Sequence, residues 1–285
     1  MEPFMQKSGM PMLLHLEPWL AEHAEITAGF TGRRGGFGKA PYDSFNCAFH
    51  VGDKPEDVLA NRTLLAGSLG FTIQDWTCGE QTHGKDIAVV KAEDRGRGSL
   101  DRASAFQATD GLLTSVPGVL LTSFYADCVP LYFYDPLVKA VGLAHAGWKG
   151  TVAEIAAAMV ARMESAYGSR PRDILAGIGP STGDCCYEVD DYVMNHIHRL
   201  EGELEPAPPR GGVPDLYRMS EADHRKSMLN LKEMNRRIMI KAGILPTHIE
   251  CTSWCTSCNQ DLFFSYRKEN GVTGRMTSWI GIKES

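Results

Sequence analysis

The chain has no excess of basic residues: 29 Lys and Arg stand against 35 Asp and Glu, a formal net charge of −6. It therefore lacks the basic field that draws a protein to nucleic acid, and no nucleic-acid partner is expected. Long apolar runs are missing too. Asp127, Asp135 and Glu154 break the best candidates well short of the roughly 18 apolar residues a membrane helix needs, so no membrane span is expected. The short apolar stretch from Met10 to Leu16 is interrupted by Pro11 and His15 and has no small-residue cleavage site behind it, which points to the cytoplasm. Solenoid-like repeats and low-complexity tracts are lacking. Of the eight cysteines, two are adjacent, Cys185 and Cys186, unlike the evenly spaced framework of a secreted domain. Reduced thiols, some of them ligands, are expected instead.

What is present is a globular composition, 43% hydrophobic and 22% charged with 29 Gly and 15 Pro. No long linker divides the 285 residues, so a single domain over 1–285 is expected. A helix is predicted to begin at Asp53, with Asp53 as cap, Pro55 in the first turn and Glu56 as capping-box partner, and to stop before Gly70. Its inward stripe is Val58, Arg62, Leu65 and Leu69, which sets Arg62 on an apolar face. Further helices are predicted from Thr151 to about Tyr167, closed by Gly168, and from about Glu221 to Ala242, closed by Gly243. Between them, Glu201 to Pro214 reads as a surface loop. Strand signals fall at Ile87–Val90, Val119–Tyr125, Leu131–Tyr134, Lys139–Ala144, Ile174–Ile178, Ile249–Thr252, Phe263–Tyr266 and Met276–Ile282. The pattern is α/β (α+β), with mixed or antiparallel sheets flanked by helices rather than a doubly wound parallel sheet.

Chemistry concentrates around a predicted hairpin. A two-residue tip of Pro136 and Leu137 sets Asp135 against Val138 and, seven residues further along each strand, Cys128 against His145. Such a pair is close enough to share a metal or a thiol–imidazole hydrogen bond, provided the register holds and Pro130 lies at an edge or bulge. His145 leads into Ala146-Gly147-Trp148-Lys149-Gly150, a glycine-containing junction of strand and helix of the kind that presents side chains and N–H groups to ligands. A strand-end histidine is as a rule structural; facing a cysteine beside glycine turns, it becomes a ligand candidate. His83, in the polar loop Gly79 to Gly84, completes a His2Cys set that leaves a fourth zinc position open, the pattern of a catalytic site. Cys251-x3-Cys255-x2-Cys258 offers only three thiols. These are either buried free thiols or, with Cys185 or Cys186, a structural zinc or iron–sulfur site. Gly177 to Ser181 is either a phosphate-cradling turn or a tight turn without ligand.

At these residues the chain resembles the YfiH-like family, also described as laccase-domain or polyphenol oxidase proteins and read as multifunctional purine nucleoside phosphorylases. The resemblance runs through Asn46, His50-Val51-Gly52-Asp53, Gln81-Thr82-His83-Gly84, Thr109-Asp110-Gly111, Ala126-Asp127-Cys128, His145 to Gly150, Gly179-Pro180-Ser181, Cys185 to Val189, Phe263 to Arg267 and Gly271 to Arg275. It implies a layered fold like that of a deamidating toxin domain, and a catalytic zinc on His83, Cys128 and His145. It also implies phosphorolysis of adenosine, inosine, guanosine and methylthioadenosine, and deamination of adenosine to inosine. Purine nucleosides and phosphate are then the partners of a monomer or homodimer. Departures from the pattern are Thr82 for Val, Lys149 and Lys268 for Arg, and Thr182 and Asp184 in the segment before the paired cysteines; Lys for Arg weakens a bidentate oxyanion contact while keeping the charge. Phosphorolysis needs an anion site beside the ribose, and Arg62 is either the best inward cation for it, with the Gly150 helix start as a second donor, or one partner of a buried ion pair. Asn46 and Gln81 are assigned to sugar or base by position. Three rival readings remain: a metal-free hydrolase or deamidase using Cys128 as nucleophile and His145 as base, copper-dependent phenol oxidation, and a non-catalytic scaffold.

Overall fold

Short apolar and β-branched segments dominate the chain, and most of them become strands. The computed structural model describes residues 1–202, 204 and 215–284. In chain order its elements are β1 (Phe4–Gln6), β2 (Leu13–Leu16), α1 (Glu17–Glu22), β3 (Ile26–Thr31), α2 (Pro55–Ser68), β4 (Trp76–Cys78), β5 (Ile87–Val89), β6 (Gly111–Thr114), β7 (Leu120–Tyr125), β8 (Val129–Asp135) and β9 (Ala140–Ala146). There follow α3 (Trp148–Val152), α4 (Ile155–Tyr167), β10 (Leu175–Ile178), β11 (Glu188–Val189), α5 (Asp191–Glu201), β12 (Tyr217–Met219), β13 (Ser227–Leu229), α6 (Leu231–Lys241), β14 (Ile249–Cys251) and β15 (Met276–Ile282).

The expected mixed α/β architecture is present. One six-stranded sheet has the order β1-β2-β3-β15-β7-β4, a second the order β14-β10-β8-β9-β6-β5, and β11-β13-β12 form a small third sheet. Pairings are antiparallel except β4 with β7, β5 with β6 and β10 with β14. The two large sheets bury an aromatic core between them, with Phe4, Phe30 and Tyr125 from one and Tyr132, Tyr134 and Leu143 from the other. Helices α4, α5 and α6 cover the far side of the second sheet, where Met159, Ile197 and Ile238 join Leu131 and Phe133 in one cluster. Helix α2 covers the far side of the first, with Leu65 and Ala66 among Trp76, Phe124 and Trp279. The result is four layers, helix, sheet, sheet, helix. Strands β7, β8, β9 and β15 are buried at every position, which is why their apolar residues fall on both faces instead of alternating. Each such buried aliphatic or aromatic side chain contributes about 1.5–3 kcal/mol of transfer free energy.

Several boundaries differ from expectation. Helix α2 starts at Pro55 behind Lys54, with no side-chain cap, because Asp53 is committed elsewhere: it accepts from Lys54 N and from Asn46 Nδ2. The predicted helix from Thr151 is two helices, α3 and α4, broken at Glu154, which adopts a left-handed conformation (φ 57°). Gly168 closes α4 as predicted, left-handed, its N–H donating to Glu164 O. The predicted helix from Glu221 is helical only from Leu231; its first part forms β13, paired with β11 and β12. Phe263–Tyr266 is not a strand. Its backbone N–H groups are satisfied by a carbonyl and by side chains, Phe263 N by Asn259 O, Phe264 N by Met276 Sδ and Ser265 N by Glu269 Oε2. Of the predicted Glu201–Pro214 loop, Glu201 ends α5, and residues 203 and 205–214 lie outside the described residues.

The β8–β9 hairpin forms, but two residues out of the predicted register. Asp135 faces Ala140 and Pro130 faces His145, so the tip spans four residues, Pro136 to Lys139. Asp135 Oδ1 accepts the N–H groups of Leu137 and Val138, stabilising this wider turn. Cys128 lies just ahead of β8, where the register continued by one pair would set it opposite Gly147. A shift of two keeps side chains on their faces, so Cys128 and His145 remain on one side as diagonal neighbours.

Candidate active site

His83, Cys128 and His145 converge despite the register correction: one ligand atom from each lies within 4.8 Å of the others. They come from three places, the loop before β5, the residue ahead of β8 and the end of β9. His145 is buried and its ring stands edge-on to that of His83, centroids 4.9 Å apart. Glycine at position 147 eases this approach. A Cβ there would stand 3.0 Å from His83 Cδ2 and 3.1 Å from Cys128 Sγ. His83 (φ 63°) and Asp127 (φ 88°) are both held left-handed, a conformation that costs a non-glycine residue free energy and clusters at functional sites.

Asp110, ahead of β6, organises the two histidines. Its Oδ1 lies 2.8 Å from His145 Nδ1 and accepts from His83 N, while Oδ2 accepts from Thr82 N and Gly84 N. One carboxylate thus orients one imidazole directly and the other through its backbone, leaving His145 Nε2 for Cys128 or a metal. Sequence reasoning gives Asp110 no role. The available signal is a carboxylate at the head of an apolar strand, costly to bury unless it is well bonded. Burial pushes Asp110 up, but the His145 hydrogen bond and charge and the Gly84 and Thr82 N–H groups outweigh it and hold the carboxyl at about 2. Burial likewise pushes the Cys128 thiol up, yet the charge and hydrogen bond of His145, then those of His83, bring it down to about 6. For His145, burial favours the neutral ring but is outweighed by Cys128 and Asp110, which raise it to about 9. The pair is poised as thiolate and imidazolium.

Cys128 is held from behind. The preceding Asp127 accepts through Oδ1 from Thr256 Oγ1 (2.7 Å) and Ser257 Oγ (3.2 Å), and through Oδ2 from Ser265 Oγ (3.0 Å) and Arg267 N (2.9 Å).

The triad forms part of the wall of a cavity of about 620 Å³, lined also by Phe49, His50, Gln81, Phe124, Tyr266 and Arg275. On the other side of His83 and Cys128 lies a smaller cavity of about 250 Å³ with Trp148, Lys149, Thr182 and Tyr187. Arg62 reaches the larger cavity and has no carboxylate partner among the described residues: Nε donates to Cys47 O, Nη1 to Gly98 O and Ser99 O, and the guanidinium stacks on Phe49, Phe124 and Trp76. Gln81 also lines it, but its amide is engaged with Phe124 N and Phe124 O. Asn46 is fully buried and does not line the cavity. It accepts from Ala48 N and Arg275 N and donates to Asp53, so it holds the backbone of Arg275, a cavity residue. His50 and Arg275 line the cavity and carried no individual role in the sequence reading. Burial, followed by the charges of Arg275, Arg102 and Arg62, holds His50 down at about 4, a neutral ring among cations.

Two nitrogens and a thiolate at this spacing fit a thiophilic divalent cation, with the second imidazole nitrogen of His145 already engaged by a carboxylate. A family model described as multi-copper polyphenol oxidoreductase laccase matches residues 27–283. The chain belongs to this family, the YfiH-like laccase family. Among the relatives of this YfiH-like chain are two called purine nucleoside phosphorylase YlmD. That of Geobacillus stearothermophilus is 44% identical over 261 residues, 92% of both chains, and that of Bacillus subtilis 39% identical over 278 residues, 96% of both. The crystal structure of YlmD from Geobacillus stearothermophilus superposes with a TM-score of 0.90 at 42% identity over 100% of both chains. The Bacillus licheniformis hypothetical protein YfiH gives 0.89 at 42% identity, over 98% of this chain and 99% of its own. The family description and the relatives' names point to different chemistry. Among the described residues, the triad is the one metal-competent cluster containing histidine, the other being four cysteines. A multi-copper oxidase needs further histidine sites for dioxygen.

Proposed function

We propose that the protein is a purine nucleoside phosphorylase that cleaves adenosine, inosine, guanosine and methylthioadenosine with phosphate, and that also deaminates adenosine. The observation that carries this reading is the cavity itself, which sets the His2Cys triad beside cationic and aromatic walls. Phosphorolysis forms a bond from a phosphate oxygen to ribose C1′ and breaks the bond from C1′ to the purine nitrogen, whose electron pair leaves with the base and takes up a proton. The aromatic lining of Phe49, Phe124 and Tyr266, with Tyr266 exposed, suits a purine. Arg62 and Arg275 supply positive field for phosphate, Arg62 from a fixed buried position, Arg275 as oriented by Asn46. Gln81 secures the wall through Phe124. Zinc held by His83, Cys128 and His145 would supply Lewis-acid character at a position that three protein donors leave open. Asp110 keeps the ligand nitrogens aimed inward.

The test is adenine release from adenosine by purified protein, with and without phosphate, for wild type and His83→Ala, alongside metal content. Phosphate-dependent release is expected, lost in His83→Ala together with one zinc per chain. Metal-free protein forming no purine product would overturn the reading. The approach of the Cys128 and His145 donor atoms to within 4.8 Å of each other also suits one alternative, a metal-free Cys–His hydrolase. That alternative predicts activity surviving His83→Ala and lost in Cys128→Ala.

A further inference from the structure

A second cluster lies outside the cavity. The sulfurs of Cys185, Cys186, Cys255 and Cys258 all fall within 4.8 Å of one another. Two turns bring them together, one between β10 and β11, the other between β14 and β15. All four are free thiols, with Cys258 Sγ 3.4 Å from both Cys185 Sγ and Cys186 Sγ. Four sulfurs about 2.3 Å from a shared tetrahedral centre stand about 3.8 Å apart, so the cluster needs only small adjustments to close on an ion. The surrounding backbone already has the form of a ligand cradle. Gly183 N donates to Cys255 Sγ at 3.1 Å, and a Cβ on Gly183 would stand 3.2 Å from Cys185 Sγ and 3.5 Å from Cys255 Sγ. N–H donation to a ligand sulfur is the outer-shell support that thiolate sites use. The x2 spacing of Cys255 and Cys258 is a structural zinc spacing.

We propose that Cys185, Cys186, Cys255 and Cys258 form a closed tetrathiolate site that binds a structural zinc ion and clasps these two turns together behind Cys128. On binding, the four thiols release their protons to solvent and each sulfur gives one electron pair to the metal, with no redox change. The clasp acts on a defined strap. Thr256 and Ser257, between two of the ligands, donate to Asp127, and Thr182, next to Gly183, donates its N–H to Asp127 O (2.9 Å) and pairs with Ser257 Oγ (3.3 Å). Thr256 N donates to Ser181 O at 3.0 Å, joining the two turns at the backbone. The ion therefore secures the two segments that hold the residue before Cys128. This assignment does not depend on the reading of the cavity.

Zinc is counted in protein purified without chelator, as wild type, Cys185→Ser/Cys258→Ser and His83→Ala. The double cysteine variant is expected to hold one zinc fewer per chain than wild type, and to do so whether or not His83→Ala also loses one. Failure of the cavity reading would thus leave this result unchanged. Cobalt titration of metal-stripped His83→Ala, its four thiols unaltered, is expected to give sulfur-to-cobalt charge transfer and the intense visible bands of a tetrahedral tetrathiolate. That arm decides the matter even where the cysteine variants fail to fold. Equal zinc in wild type and the double variant, iron in place of zinc, a disulfide among the four on thiol labelling and mass analysis, or a cobalt spectrum without tetrathiolate bands would each overturn the proposal.

Discussion

Among the described residues, two metal-competent clusters are built on opposite plans. The first takes one donor from each of three distant segments, mixes imidazole with thiolate, opens into a cavity and has a carboxylate behind it. The second takes four like donors from two turns and offers no fourth position to solvent or substrate. Donor number separates them: three protein ligands leave room for chemistry, whereas four make a clasp. Asp127 joins the two, with the clasp's Thr256 and Ser257 on its carboxylate and Cys128 as its neighbour in the chain.

The contrast breaks hardest at Gly147. Gly147→Val drives carbon into space already bounded by His83 and Cys128, and turnover is expected to fall about 100-fold or more, as for other misplacements near 1 Å. Metal analysis should show the cavity ion lost and the tetrathiolate ion kept. Asp110→Ala removes the support of both histidines, and metal affinity at the triad is expected to drop by about 10–100-fold, read by chelator competition. The tetrathiolate should not respond. Arg62→Met tests wall against ligand. Three carbonyls lose their donors at about 1–3 kcal/mol for each group left unpaired, so the urea midpoint should fall clearly. A raised KM for phosphate in the surviving folded protein would mark a substrate role in addition. The smallest effect is one of pH. Burial first, then Lys7, holds His15 down at about 4, and its Nδ1 has no hydrogen-bond partner among the described residues. Between about pH 6.5 and 4 the unfolded chain binds a proton there that the folded chain refuses, so stability falls as pH falls through that window and levels off below it. His15→Gln should flatten the slope in urea titrations without touching either cluster.

Legibility in sequence followed the physical signals. Met276–Ile282 is β15 residue for residue, because its β-branched and aromatic residues, Thr277, Trp279, Ile280 and Ile282, mark a strand. Gly168 was readable because a left-handed helix end calls for glycine. Strand β3, Ile26–Thr31, went unseen: it is buried throughout, yet built of Thr, Ala and Gly beside its Ile and Phe. Residues from Glu221 looked helical because polar periodicity cannot reveal the ladder of β11, β13 and β12, whose partners are distant in sequence. The triad was legible as residue types, but its support was not. Asp110, His50 and Arg275 act through backbone N–H groups, burial and neighbouring charges that only the folded chain assembles. The four-thiol cluster was half legible: Cys255 and Cys258 were read with Cys185 or Cys186, but Cys251 was counted among them, and the fold leaves it out and brings in both adjacent cysteines.

The four-residue tip of the β8–β9 hairpin has one further implication. In relatives of this chain, insertions or deletions there should come in pairs. An even change slides the strands while Cys128 and His145 stay in the same layer, and only the reach between them alters. An odd change would turn one strand over and send one of the two into the opposite layer, so the hairpin filters the length changes that the lineage can inherit.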